Sequence, residues 1–292
     1  MATLYNQVSS NNRKAFFLIF FFLIFVIFLG WIFSYFLNDI YVLYFAVLFS
    51  VLMSFVSYYN SDKVILSMTG AREIQKNGNP ELYRIVENLS ITAGTPLPKI
   101  YILNEVQPNA FATGRDEKHA VVAVTRGLLQ KLDKRELEAV IAHEIAHIKG
   151  KDMLVGSIVV VLVGVISILS DIFLRSMFWG QNDNDNKNPL FLVLGVIGMI
   201  LAPIAATIIQ LAISRKQEFK ADANGALLTR DPEALASALI KISSDRTPLN
   251  KMNNATAHLY VSSPYKKKTE WYEKLFMTHP PVEERVNALR QL

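Results

Sequence analysis

Within five residues, His143-Glu144-Ile145-Ala146-His147 carries two imidazoles and a carboxylate. On an α-helix two histidines four apart share one face, so both rings can reach a single cation, and Glu144 beside them can hold a water bound to that cation. Those are the parts of a hydrolytic zinc site. Histidines at this spacing can also simply pack or hydrogen-bond, so the surroundings must decide. Asp133 ahead of Glu136 reads as a capping box, Leu137, Val140, Ile141 and Ile148 recur at helical spacing, and Gly150 is a natural stop. Together they predict a helix over roughly residues 134–149.

A zinc ion of this kind needs a third protein ligand and leaves its fourth position to water. His258 and His279 are candidates, while His119 falls in a predicted loop ahead of a strand. A stronger candidate lies in Arg215-Lys216-Gln217-Glu218-Phe219-Lys220-Ala221-Asp222, where Glu218 and Asp222 are four apart on a predicted helix. At that spacing the glutamate can ligate the metal while the aspartate orients a ligand histidine through its second ring nitrogen. Acidic residues among lysine and arginine also describe an ordinary solvated helix face.

These two motifs, with Asn109-Ala110-Phe111-Ala112-Thr113-Gly114 upstream and Thr278-His279-Pro280-Pro281 downstream, resemble the HtpX membrane proteases, bacterial relatives of the CAAX prenyl proteases. The likeness covers essentially the whole chain, including the order of its apolar spans, and Ala257-His258-Leu259-Tyr260 shares in it. It implies an α+β membrane protein in which four transmembrane helices carry a mainly helical, gluzincin-type catalytic domain with a small β-sheet. It further implies one Zn2+ per chain on His143, His147 and Glu218, with Glu144 as catalytic base and Asp222 behind the ligands. His279 resembles the family histidine placed near the substrate, a catalytic role on the developing oxyanion, although a structural histidine ahead of a rigid turn is the other reading. Asn109, Ala110, Phe111, Ala112 and Thr113 resemble the family's substrate-binding edge, where an extended peptide would add as a strand through main-chain hydrogen bonds.

The elements that must position these groups are set by the membrane. Hydrophobic residues make up 51% of the 292 and gather in blocks. The runs 15–37 and 40–59 each meet the roughly 20 residues needed to cross about 30 Å of hydrocarbon, and they form a hairpin through Asn38 and Asp39. Two more spans are expected at 153–174, with Asp171 near its end, and at 189–214, with Pro203 as a kink. The first run is too long for the roughly 7–15 residue core of a secretory signal and no cleavage site follows it, so it is expected to remain. Arg13 and Lys14, Lys149 and Lys151, and Arg215, Lys216 and Lys220 flank the spans on one side. The opposite turns balance Arg175 and Lys187 with Asp171, Asp183 and Asp185, which places both termini and the metal motifs in the cytosol of a multi-pass protein of the bacterial plasma membrane.

The soluble parts, 60–151 and 215–292, each hold part of the proposed site, so they must form one discontinuous domain around it. Asn79-Pro80 starts a helix with Leu82, Ile85, Val86 and Leu89 inward and Gly94 after it, Lys99–Leu103 and residues 120–125 read as strands, and 109–114 between them as an extended edge. Asp231-Pro232 opens another helix and Pro281 a last one, to about residue 288. Because Glu218 lies four residues past the fourth span, the site is expected about 6 Å from the apolar boundary.

The net charge of +5 follows from positive segments facing anionic lipid, so nucleic-acid binding is not implied, and Lys266-Lys267-Lys268 reads as a solvated or lipid-facing loop. Without cysteine there is no disulfide framework and no thiolate metal site. A transporter would need ionisable groups within its spans, and they are almost absent. The remaining readings are a zinc endopeptidase that turns over damaged or misfolded membrane proteins, a processing protease for one lipidated or secreted peptide, and a silent zinc-binding scaffold, against which Glu144 speaks. Membrane lipids and unfolded or juxtamembrane segments are the expected partners.

Overall fold

Asp39 accepts the N–H of Tyr41 and caps α2, Ile40–Tyr59, while Asn38, at φ 51°, turns the chain back from α1, Leu4–Leu37. This hairpin closes tightly, since a Cβ at Gly30 would stand 2.2 Å from that of Ala46, and small residues let membrane helices approach in this way. The computed structural model describes residues 4–179, 215–245 and 280–292, with 196, 197, 200, 208, 247, 256 and 259–261 as further positions. Among them α1, α2 and α7, Asp152–Trp179, are long and apolar enough to cross a membrane. α1 and α2 expose Phe17, Phe21, Phe28, Trp31, Phe45 and Leu48, a surface fitted to lipid rather than water. α7 differs, because 67% of its apolar window is buried inside the protein. The expected fourth span at 189–214, including Pro203, lies outside the described residues apart from four positions, as do the turn at 183–187 and Lys266 to Lys268.

α1 also starts at Leu4, well before the expected span at 15, so its first turns project past the apolar boundary toward the catalytic region. There the short α3, Ser61–Thr69, leads through Gly70 to β1, Arg72–Glu73, and then to α4, Pro80–Ala93. Asn79 caps α4 at the Leu82 N–H, and Gly94, at φ 69°, ends it. β2, Lys99–Leu103, β3, Ala110–Thr113, and β4, Val121–Thr125, follow, with a 3-10 turn at Glu117–His119 before β4. After α5, Arg126–Lys131, come α6, Lys134–Gly150, and α7, then α8, Arg215–Thr229, α9, Pro232–Ser244, and α10, Val282–Leu289.

The sheet runs β1-β2-β4-β3, with β2 and β4 parallel and the other pairs antiparallel, so β3 is an edge strand in register Ala110↔Val124 to Thr113↔Val121. Ile100, Ala112, Val122 and Val124 join the core formed with α4, α6 and α9, while Leu103, Phe111 and Ala123 join one shared with α1 and α7. The sheet is thus covered on both faces, and β4 reads Val-Val-Ala-Val without polar alternation for that reason.

α6 begins as the sequence predicts, with Asp133 accepting the Glu136 N–H and Glu136 accepting the Asp133 N–H. Glu136 also accepts from Ser237 and Lys241 of α9, which fixes the start of the helix to its neighbour. Its end departs from expectation: Gly150 is the last helical residue and Lys151, at φ 56°, makes the left-handed turn. A Cβ at Gly150 would meet Asp152 Oδ1 at 2.3 Å and Gln7 Nε2 at 2.6 Å, so any larger residue would make those side-chain ends move. α6 meets α8 through a second glycine, since a Cβ at Gly225 would stand 2.9 Å from the backbone nitrogen of His143.

That contact predicts that Gly225→Ala pushes α8 off α6, lowering stability by about 1–3 kcal/mol as overpacking does and weakening metal binding. Gly164→Ala, where nothing lies within 4 Å, is the control and should be close to neutral. Thermal unfolding in detergent and metal titration of both variants provide the check, and equal behaviour of the two would remove close approach as the reason for Gly225.

Candidate active site

α6 carries His143, Glu144 and His147 on the buried side of the helix, and α8, held against it at Gly225, carries Glu218 and Asp222. The two Nε2 atoms stand 3.1 Å apart, and Glu218 Oε1 lies 3.5 Å from His147 Nε2. One ligand atom from each of His143, His147 and Glu218 falls within 4.8 Å of the others. Donors about 2.0–2.1 Å from a tetrahedral zinc ion stand about 3.3–3.4 Å from one another, so this nitrogen–nitrogen–oxygen set fits that ion. His258 and His279 lie outside the described residues.

Behind the rings, Asp222 Oδ1 is 2.9 Å from His143 Nδ1, at ion-pair distance but not aligned as a hydrogen bond. Asp152 Oδ2 is 2.9 Å from His147 Nδ1 and does bond it. With a carboxylate at each Nδ1, both Nε2 atoms are left to face the centre, the arrangement that fixes the tautomer of ligating histidines. Asp152 is not apparent from the motif alone, because it reads as an acidic first residue of α7. The left-handed turn at Lys151 brings it back over His147.

The second group that sequence reasoning passes over is Arg285 of α10, only 1% exposed. Its Nε and Nη2 donate to the two oxygens of Asp222 at 2.8 and 2.6 Å, and its Nη1 donates to the Val261 carbonyl at 2.9 Å and stands 3.5 Å from Glu218 Oε2. A signal was available, since Arg285 shares the apolar stripe of Val282, Val286 and Leu289, where a charged residue must find a buried partner.

Burial pushes the Glu144 carboxyl up to about 7, with the charge of His147 and the Ala112 N–H opposing and Glu218 adding to the rise. Burial pushes His147 down, but the carboxylates of Asp152, Glu218 and Glu144 outweigh it and raise the ring to about 10. His143 goes the other way, lowered chiefly by burial against the pull of Asp222. Burial alone would raise Asp222, yet the Arg285 charge and hydrogen bonds bring it to about 2. Four carboxylates therefore surround the histidines with Arg285 as the fixed cation, and the centre favours further positive charge, as a proton on His147 or as a metal ion.

β3 passes beside this cluster. The Ala112 N–H bonds Glu144, Val261 donates to the Ala110 carbonyl, and Phe111 meets the Tyr260 ring edge-on at 5.4 Å. Asn109 donates its N–H to Thr125 Oγ1 and returns its carbonyl to the Thr125 N–H, which anchors the strand at one end. Thr113 Oγ1 shares a 2.7 Å hydrogen bond with Ser157 of α7, which anchors the other. All four strand residues are buried, so the predicted edge is an edge by topology and is covered on its faces. Three ligands, a carboxyl of raised pKa next to them and an extended strand alongside can support hydrolysis of a bound chain.

Removing the buried cation should be costly. Arg285→Met strands the Asp222 carboxylate without its partner, with an expected loss of about 3–5 kcal/mol in unfolding free energy. Metal affinity should fall about 10–100-fold, because His143 loses its orienting group. Calorimetry with and without metal reads both, and an unchanged affinity would confine Arg285 to stability alone. The raised pKa of His147 carries a second expectation: a metal ion must displace that proton, so apparent affinity should rise about tenfold per pH unit between about pH 6 and 8. A pH-independent affinity would show that the proton is not there.

The profile of peptidase family M48 matches residues 76–292. An HtpX protease homologue of Caldanaerobacter subterraneus subsp. tengcongensis is 43% identical over 99% of this chain and 98% of its own length. One from Tropheryma whipplei is 48% identical over 81% of each chain. In fold, the chain is similar to the crystal structure of S. mikatae Ste24p, with a TM-score of 0.53 and 19% identity, over 98% of this chain and 67% of that one. With the family profile spanning every motif of the site and HtpX relatives alike from end to end, the protein belongs to peptidase family M48, among the HtpX-type membrane metalloproteases.

Proposed function

We propose that this metalloprotease is a zinc-dependent endopeptidase that works at the cytosolic face of the bacterial plasma membrane on damaged or misfolded membrane proteins. The observation that carries the reading is the convergence of His143 Nε2, His147 Nε2 and Glu218 Oε1 beside a buried Glu144 that touches the edge strand β3. When bound, zinc supplies a Lewis acid that polarises a carbonyl and makes a coordinated water acidic at neutral pH. Glu144, with its carboxyl near 7, takes a proton from the attacking water and delivers it to the leaving amine. Asp222 and Asp152 hold the two rings in register, and Arg285 keeps Asp222 charged while they do so. Residues Asn109 to Thr113 receive the substrate as an added strand, which tolerates many sequences because the bonds are main-chain. His279, outside the described residues, takes in this reading the role of donor to the developing oxyanion.

The proposed topology has a hairpin at 15–59, two further spans within 153–214, and one catalytic domain assembled from 60–151 and 215–292. Supporting it, α7 begins two residues after α6 ends, and in sequence Glu218 lies four residues past the expected fourth span, which puts the candidate metal ligands near the expected membrane boundary. A site so placed meets flexible segments next to membrane spans at high effective concentration, whereas a folded soluble protein must first unfold to reach it.

Base and ligand should separate cleanly. Glu144→Gln is expected to abolish peptide hydrolysis while keeping one zinc per chain, whereas Glu218→Ala loses the metal as well. Zinc analysis of the purified variants distinguishes them, and loss of zinc from the Glu144 variant alone would reverse the two roles. For the substrate, one unstructured sequence is compared near a transmembrane helix, behind a long folded spacer and free in solution, all in reconstituted bilayers. The first should be cut fastest, and equal rates in the three formats would end the membrane-surveillance reading without touching the peptidase.

A further inference from the structure

A cavity of about 570 Å³ opens on the side of α6 that carries Ala146, Lys149 and Gly150, between α6, α8, the end of α4 and the first turns of α1. This volume lies in the range of about 300–1,000 Å³ typical of small-ligand sites. Three cations line it, Lys149, Lys220 and Arg230, and its lining includes no acidic residue. None of the three forms a salt bridge among the described residues, and Lys149 spends one donor on the Ala93 carbonyl at 2.7 Å. Three like charges around one hollow repel one another, and nothing in the active site requires them there. Gln7 and Asn224 add amide donors, while Leu227, 73% exposed, gives one wall an apolar surface.

We propose that this cavity is a binding site for a phosphate-bearing anion, with the headgroup of an anionic phospholipid as its source. The chemistry follows from three cations and two amides converging on a hollow without a counter-charge, which suits an oxyanion with several acceptor oxygens. The source follows from position. Gln7 lies eight residues before the apolar run that begins at Ala15, about 12 Å along a continuous helix, and Lys220 six residues past the end of the fourth run, about 9 Å. Those depths border the headgroup layer, where basic pockets between membrane helices collect anionic lipid, and the exposed Leu227 can meet the glycerol or upper acyl region. The lipid source rests on the cytosolic placement proposed above, whereas the anion chemistry does not.

The site would also staple the catalytic parts together. Its walls are α6, which bears His143 and His147, and α8, which bears Glu218, and beside it Asn11 of α1 bridges the two by donating to the Gly150 carbonyl at 2.9 Å and accepting from Gln217 at 2.6 Å. An anion that relieves the repulsion between Lys149 of α6, Lys220 of α8 and Arg230 in the turn after α8 draws these helices together and stabilises the folded enzyme.

The test uses the full-length, zinc-loaded protein in neutral detergent, with binding of short-chain phosphatidylglycerol, short-chain phosphatidylcholine and inorganic phosphate followed by native mass spectrometry and thermal shift. Phosphatidylglycerol should bind and raise the melting temperature, and phosphatidylcholine should not. Arg230→Gln should weaken binding about fivefold and Lys220→Gln/Arg230→Gln about 25-fold, whereas Lys118→Gln/Arg84→Gln, exposed cations outside the cavity, should leave it unchanged. Arg230 lies in the turn after α8 and is none of the candidate metal ligands, so Arg230→Gln tests the site even if the double variant disturbs α8. Displacement of the lipid by inorganic phosphate assigns the free anion as the ligand, its absence assigns the lipid, and either supports the anion site. Equal binding of the two lipids, or equal losses in the cavity and control pairs, overturns it. Because binding is read without peptide hydrolysis, a failed protease reading and a failed anion site give different results.

Discussion

The guanidinium of Arg285 on the carboxylate of Asp222 is the interaction on which the site depends, because it joins α10 to α8, the helix that brings Glu218 to the two histidines. A buried carboxylate opposite His143 would be neutralised in an apolar core, and the fixed charge keeps it ionised and in place. From Asp222 the constraint passes to the His143 ring, and from the same arginine it reaches Glu218 and the carbonyl of Val261, the residue that bonds β3. One side chain thus touches Asp222 behind the His143 ring, Glu218 and the segment that bonds β3. Such a network is stable only when complete, which explains why so many charged groups can be buried together.

Close approach of α6 and α8 is the other condition, and it is met by absent atoms rather than by attraction. Gly225 lets the helices come near enough for two histidines and a glutamate from distant parts of the chain to face one point. Gly150 lets α6 end against α1 and frees the turn that returns Asp152 to His147. The membrane helices take part in this geometry. α7 shares a core with Leu103, Phe111 and Ala123 of the sheet, and its Ser157 holds Thr113, so the strand beside the Glu144 carboxyl is fixed to a helix long and apolar enough to cross a membrane. Movement of α7 would therefore be felt at β3.

Much of this was legible in the chain because the signals are local. The capping box at Asp133, the proline and asparagine at the start of α4, and the apolar runs of α1, α2 and α7 each act within a few residues, so boundaries came out within a few residues wherever backbone caps set them. Two histidines four apart with a glutamate beside the first suggest a metal site for the same reason, and the third ligand has to come from another helix. α6 runs one residue beyond the expected 149, with Gly150 its last residue and Lys151 taking the left-handed turn, and Gly150 also stands against Gln7 and Asp152, which arrive from other elements.

By itself, the sequence determined the helices α4, α6, α8, α9 and α10 and the strands β2 to β4, the apolar runs of α1, α2 and α7, and which residue types could carry hydrolysis, since each follows from spacing along one element, whereas the short α3, β1 and α5 carry no such signal. Only the tertiary structure decided that Glu218 faces the two histidines, that Asp152 rather than some other acid supports His147, and that Arg285 is a buried partner instead of a solvated charge. The physical reason is that an ionisable group takes its role from its surroundings. Burial, opposite charge and hydrogen-bond partners come from residues up to 142 positions away, as Arg285 is from His143, and they exist only once the helices have closed on one another.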